Sequence, residues 1–268
     1  MNSKAFTLIE MLVVIFILAL LLGIVIPVLR KSREQAKSLH CRLNLKKIAE
    51  IMSMYEQNNG SFPQGFDIHE HIRPSGNYIG SGAHDSRGWW WFHFLHGLFI
   101  EHGHEKDKLL WCPSRKVRDP GGRLNVLCGN YGVNRSICKD NPTMPQLVDE
   151  EFKGTPLGLN RIKHPSQAML VMDSGYTLVS WWAALENADT VYENKKREDH
   201  FYVPGLSINI KRNISHRCLD DANYGRHSNK RINIAFADMH VENKKSDDLL
   251  VQKMDDGYIN LNPAWNPR

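Results

Sequence analysis

Residues 11–29 (MLVVIFILALLLGIVIPVL) form an unbroken run without a charged side chain. At 1.5 Å per helical residue the run measures about 29 Å, close to the ~30 Å hydrocarbon core of a bilayer. Residues 6–9 lengthen it across a single acid, Glu10. A secretory signal has a shorter apolar core followed by a small-residue cleavage site. Here Lys31, Ser32 and Arg33 follow instead, so the run reads as an anchor that is retained. Beyond it the pattern changes period. Cys41, Leu45, Ile48, Met52 and Tyr55 recur at steps of four and three, with Lys46, Lys47, Glu50 and Glu56 mostly off that line. This is the stripe of an amphipathic helix packed on one side. Asn58-Asn59-Gly60-Ser61-Phe62-Pro63 then supplies residues that stop a helix. A helix from Phe6 to about Gln57 is about 78 Å long.

From about Gly60 onward the chain reads as one α+β head with long loops. Residues 88–100 (GWWWFHFLHGLFI) predict a buried helix with Trp91, Phe94 or Leu95, and Leu98 on one face. Strands are predicted over 168–172, 206–210 and 231–237. In the last, Ile232, Ile234 and Phe236 alternate with Asn233, Ala235 and Ala237, the period of a half-buried strand. No internal repeat or low-complexity linker interrupts the head.

Composition narrows the function classes. A net charge of +5 over 268 residues is modest. The chain has no basic stripe with interleaved aromatics, no helix-turn-helix pattern and no zinc-finger spacing, so no nucleic-acid partner is expected. The five cysteines (Cys41, Cys112, Cys128, Cys138 and Cys218) include no CxxC pair. In an exported chain some pair as disulfides, with Cys112, Cys128 and Cys138 near enough in sequence to staple a loop; unpaired buried thiols are the other reading.

An acid in a membrane helix costs about 2.5–3.5 kcal/mol at the centre and less near an end. Glu10 is therefore either kept for a purpose or placed at the interface. Lys4-Ala5-Phe6-Thr7-Leu8-Ile9-Glu10, followed by the apolar helix, resembles the prepilin signal of type IV pilins and type II secretion pseudopilins. The resemblance implies a pilin-like fold: a long N-terminal transmembrane and stalk helix packed on a globular head with an antiparallel β-sheet. It implies a prepilin peptidase that cuts between Ala5 and Phe6 and methylates Phe6, although Ala5 stands where Gly is usual. It also implies that Glu10 neutralises the Phe6 amine of a neighbouring subunit, and that Pro27 marks a bend. The expected organisation is a leader at 1–5, a membrane helix at 6–29, a stalk at 30–59 and a head at 60–268. Arg30, Lys31, Arg33 and Lys37 follow the helix, and by charge count alone they point the head toward the cytoplasm. The prepilin-like signal requires the opposite, with a cytoplasmic N-terminus in the bacterial inner membrane and the head periplasmic or extracellular.

A second resemblance lies in the head. Arg226-His227 and Asn233 through Phe236-Ala237-Asp238-Met239-His240-Val241 are similar to a C-terminal signature that accompanies prepilin-type N-termini, in which a His precedes an Asp-Gly pair by nine residues. Here residues 228–237 separate His227 from Asp238, and Met239 replaces the Gly. A Gly there permits φ > 0 in a tight turn, so Met239 implies a different turn or strain.

Three constellations carry possible chemistry. Asp173, His227 and Asp238, with His240, either hold a divalent ion or cap loops; the pseudopilin resemblance makes calcium the ion to consider. Seven of the thirteen histidines lie between His69 and His104, without HExxH spacing. Trp89-Trp90-Trp91 and Trp181-Trp182 either stack on a sugar or fill core. With no G-x-S-x-G elbow, P-loop or dinucleotide fingerprint, no enzymatic activity is expected. The leading expectation is a structural filament subunit whose partners are a prepilin peptidase, other pilin-like subunits and the inner membrane. The rival is a membrane-anchored module that binds polysaccharide or a partner through its tryptophans.

Overall fold

A computed structural model describes residues 7–67, 88–95, 97–98, 109–116, 126–143, 150–184, 203, 226–251, 253–254, 257–258 and 260–268. Its first element is the helix α1, Leu8–Asn59, of 52 residues. Thr7 and Glu10 start it reciprocally. The Thr7 hydroxyl accepts from Glu10 N–H at 3.3 Å, and the Glu10 carboxylate accepts from Thr7 N–H at 2.8 Å and from the Thr7 hydroxyl at 2.7 Å. This capping box satisfies donors that a helix N-terminus otherwise leaves bare. The helix continues through Pro27 without interruption, so the bend implied there by resemblance is not a break. It stops at Gly60, whose φ of 76° lets its N–H turn back to Glu56 O at 2.7 Å.

The two halves of α1 have opposite fates. Every side chain from 8 to 33 is exposed. The later half buries Cys41, Asn44, Leu45, Ile48, Ala49, Ile51, Met52 and Ser53, which includes the predicted stripe. Among the described residues α1 is the one helix long and apolar enough to cross a membrane, and none of its apolar window is buried within the chain.

Strands β1, Phe66–Asp67, and β2, Trp89–Trp90, pair antiparallel beside a one-turn helix α2, Trp91–Phe94. Over the described residues, the single helix predicted over 88–100 begins as a strand and one helical turn, with 97–98 helical again. Trp90 and Trp91 enter the core from adjacent positions on either side of the switch from strand to helical turn. The main sheet uses β3, Tyr131–Asn134; β4, Met169–Asp173; β5, Leu178–Val179; β6, Arg231–Phe236; and β7, Val241–Lys245. Its order is β5-β3-β4-β6-β7, antiparallel throughout except for the parallel β3–β5 edge. Strands β8, Lys253–Met254, and β9, Gly257–Tyr258, form a separate hairpin. The strands predicted at 168–172 and 231–237 are β4 and β6; the one at 206–210 lies outside the described residues.

The sheet is covered on both faces, not one. Leu170, Val171 and Ala235 join the cluster that contains Cys41, Leu45, Ile48 and Met52 of α1. Met169, Met172, Ile232, Ile234 and Phe236 join a second cluster with Leu249, Val251 and Trp265. Trp265 is fully buried, and its indole N–H donates to Leu249 O at 2.8 Å. In β6 the alternation is regular, with bulky side chains toward Trp265 and small or polar ones toward α1. In β4 it is broken: a register shift between Met169 and Val171 lets Leu170 and Val171 serve the same face.

Between β6 and β7 the turn places Met239 at φ 72°, the left-handed region that an L side chain occupies at a cost of about 1–2 kcal/mol. Part of the resulting loss is offset by Met239 packing against the α1 cluster. Comparing Met239→Gly with Met239→Ala removes that packing from both sides. Met239→Gly is expected to be the more stable by about 1 kcal/mol, read from urea midpoints; equal midpoints would show that the turn relaxes.

Candidate functional site

The chemistry-bearing side chains gather where α1 crosses β4 and β6. Asp173 ends β4, directly opposite Tyr131 of β3, and is fully buried. Its Oδ2 accepts from Asn233 N–H at 2.8 Å and sits 2.8 Å from His227 Nε2. Asn233 Nδ2 is 2.8 Å from the same imidazole nitrogen and donates to Ser38 O of α1 at 3.3 Å. Arg226, fully buried, donates to Ser174 O at 2.7 Å and to Asn130 O, with Nη1 4.0 Å from Asp173 Oδ1. On the other flank Asn44 of α1 donates to Tyr131 Oη at 3.2 Å and to Trp111 O at 3.1 Å. Burial, reinforced by the Asp173 charge, pushes the Tyr131 hydroxyl well above its ordinary pKa, so it stays protonated.

A covalent tie runs alongside. Cys41 of α1 forms a disulfide with Cys112, their Cα atoms 5.4 Å apart. The staple considered among Cys112, Cys128 and Cys138 does not form: Cys112 pairs with Cys41, and Cys128 and Cys138 are buried. Cys112 N–H donates to Asn130 Oδ1 at 3.1 Å, which holds its loop against the start of β3. Cys41, Cys112, Asp173 and His227 are all buried, and one donor atom from each lies within 4.8 Å of the others.

Of the three head residues singled out from sequence, the fold gathers two. Asp173 and His227 meet because β4 ends where β6 begins. Asp238 follows β6, and antiparallel pairing sends it to the far end: its N–H approaches Pro165 O at 3.4 Å, beside the start of β4. A six-residue strand separates the two ends by about 20 Å. There Asp238 is exposed, with Oδ1 2.5 Å from His240 Nδ1, and His240 lies flat on Phe236. Sequence reasoning missed Cys41–Cys112, Arg226, Asn44 and Asn233. A cysteine on an apolar helical stripe and an asparagine in the middle of a strand were the available signals.

The other candidates divide. Ala5 and Phe6 lie outside the described residues, as do the clustered histidines other than His93. His93 is buried, and its Nδ1 accepts from Trp90 N–H at 2.9 Å. Trp90, Trp91 and Trp182 are buried. The Trp91 indole N–H donates to Thr177 Oγ1 at 2.7 Å, and the indole N–H of half-buried Trp181 donates to Glu151 at 2.9 Å. These rings serve the core more than a sugar-binding face.

Known proteins resemble part of this chain. The prokaryotic N-terminal methylation motif matches residues 1–26. The chain is 36% identical over 78 residues to the type II secretion system core protein G of Pseudomonas aeruginosa, covering 28% of this chain and 55% of that protein. It is 38% identical over 61 residues to the type IV wide pilus major component PilA4 of Thermus thermophilus, covering 23% of this chain and 47% of that one. The chain thus spans about half the length of the curated relatives it matches. No solved structure matches it significantly. A prepilin-type methylation motif leads into a pilin-like α+β architecture.

Removing the Asp173 carboxylate leaves Arg226 and His227 buried without it. Asp173→Ala is expected to cost about 3–5 kcal/mol of head stability, whereas Asp238→Ala in its exposed turn costs about 1 kcal/mol or less. Chemical unfolding of the two variants checks this; equal losses would remove Asp173 from the centre of the network.

Proposed function

We propose that the chain is a structural subunit, a pseudopilin or minor pilin, of a type II secretion-like or type IV pilus-like filament. A prepilin peptidase cuts between Ala5 and Phe6 and methylates Phe6. The protein then sits in the inner membrane with its N-terminus cytoplasmic and its head on the other side, and assembles with other pilin-like subunits. The observation that carries this reading is the methylation motif at 1–26 joined to a single unbroken helix, apolar and exposed over its first half and fused to the head over its second. Exposed Leu12, Ile15, Phe16, Leu18, Leu22 and Val25 need lipid or neighbouring helices around them. Once in a filament they find both without unfolding the head.

Glu10 acts in two settings under this reading. In the lone chain its carboxylate is satisfied by Thr7 of its own helix. In the filament it exchanges that cap for the N-methylated amine of the next subunit, and the two opposite charges offset each other's burial. The helix N-terminal field favours the carboxylate in either setting.

The first test is mass spectrometry of the mature protein from its native host, with an N-methylated Phe6 terminus expected. An intact Met1, or a terminus beyond Leu29, overturns the processing and the anchor together. The second is Glu10→Val, which keeps or improves membrane insertion and lowers crosslinking into filaments at least several-fold. Wild-type crosslinking in that variant removes the neighbour-pairing role.

A further inference from the structure

The Cys41–Cys112 disulfide lies beside Asp173 and His227. Asp173 Oδ1 and His227 Nδ1 are buried and have no hydrogen-bond partner among the described residues. One donor atom each from Cys41, Cys112, Asp173 and His227 falls within a span of 4.8 Å. Four-coordinate zinc sits about 2.3 Å from sulfur and about 2.0–2.2 Å from nitrogen or oxygen, so its ligands stand about 3.3–3.8 Å apart. The widest pair needs to close by about 1–1.5 Å to match.

We propose that in the reduced chain these four side chains form a buried, four-coordinate site for zinc or a similar borderline-soft divalent ion. That ion ties the stalk helix to the head, as the disulfide does in the oxidised chain. The donor set of two sulfurs, one imidazole nitrogen and one carboxylate suits zinc and not calcium or magnesium, which take oxygen ligands. Supporting contacts are already in place. Asn233 N–H and His227 hold Asp173 Oδ2, which leaves Oδ1 for an ion. Asp173 Oδ2 accepts from His227 Nε2–H and so holds the ring, which leaves Nδ1. Fixing a ligand's second atom in this way is how metal sites orient their ligands. Charge agrees as well. With two thiolates, the Asp173 carboxylate, a divalent ion and the adjacent Arg226 guanidinium, the buried cluster is neutral. With the disulfide, the carboxylate and Arg226 already balance.

The two states interconvert by simple chemistry. A dithiol or phosphine reductant supplies two electrons, two protons from water complete the thiols, and the S–S bond breaks. The ion then displaces those two protons as it binds both sulfurs. Neither state leaves Cys41 unattached to the head.

The test uses the full chain in detergent, with cobalt(II) as a spectroscopic probe. After phosphine reduction, one equivalent of cobalt per chain is expected to give a thiolate-to-cobalt charge-transfer band and the intense visible absorption of tetrahedral cobalt. Zinc should bleach both. Zinc at a hundredfold excess over its Kd should raise the Tm of the reduced chain by roughly 5–10 °C. The oxidised chain should show neither band nor shift. Identical spectra from oxidised and reduced chains, an octahedral spectrum, or no binding each overturn the proposal without any mutation. His227→Gln, checked for folding by circular dichroism, should weaken zinc at least tenfold, and unchanged affinity in a folded variant overturns the nitrogen ligand. These readouts do not depend on filament assembly, so they stand apart from the proposed function.

Discussion

Everything in the head is arranged around one constraint: the second half of α1 must be covered along a single stripe while the first half stays bare. A helix this long cannot bury its stripe on itself, and a sheet can cover it only by offering a face of matching shape. Strand β6 supplies that face with Asn233 and Ala235, side chains short enough for the helix to lie close. The bulky half of the same strand is thereby turned toward Trp265, and the head becomes a sheet enclosed between a helix and a C-terminal strap.

The polar network follows from that seam. Burying α1 against the ends of β3, β4 and β6 brings Asn44, Tyr131, Asp173, His227 and Asn233 out of water, where each needs a partner. They find one another, and Arg226 adds a positive charge close to Asp173. Buried charge of this kind contributes little net stability compared with apolar packing. What it adds is register: a stalk helix displaced by one turn would separate Ser38 from Asn233 and Asn44 from Tyr131 at the same time. The disulfide fixes the same register covalently.

Periodicity made the helix and the two central strands legible. Cys41, Leu45, Ile48 and Met52 announce a covered stripe, and Ile232, Ile234 and Phe236 announce a covered face. The second covered face of β6 was not legible, because Asn233 reads as a solvent position until Ser38 and His227 are seen beside it. The tryptophan segment misled for a related reason. A short apolar run has no period of its own, and Trp89–Trp90 became a strand because Phe66–Asp67 was there to pair with it. Asp173 and His227 were legible as an interesting pair, but grouping Asp238 with them assumed that both strand ends share a rim. In an antiparallel pair they cannot.

The contact between Asn233 and Ser38 joins positions 195 residues apart. Helix α1 closes its hydrogen bonds locally and fast, on the sub-microsecond scale of helix formation. The face that covers its stripe is contributed by chain that is synthesised much later, at about 5–20 residues per second. For roughly ten seconds or more of synthesis, Leu45, Ile48 and Met52 therefore lack the face that β6 provides. Whatever shelters that stripe in the interval, whether a bilayer surface or a chaperone, must release it when β6 arrives. The geometry of the seam thus sets a timetable as well as a shape.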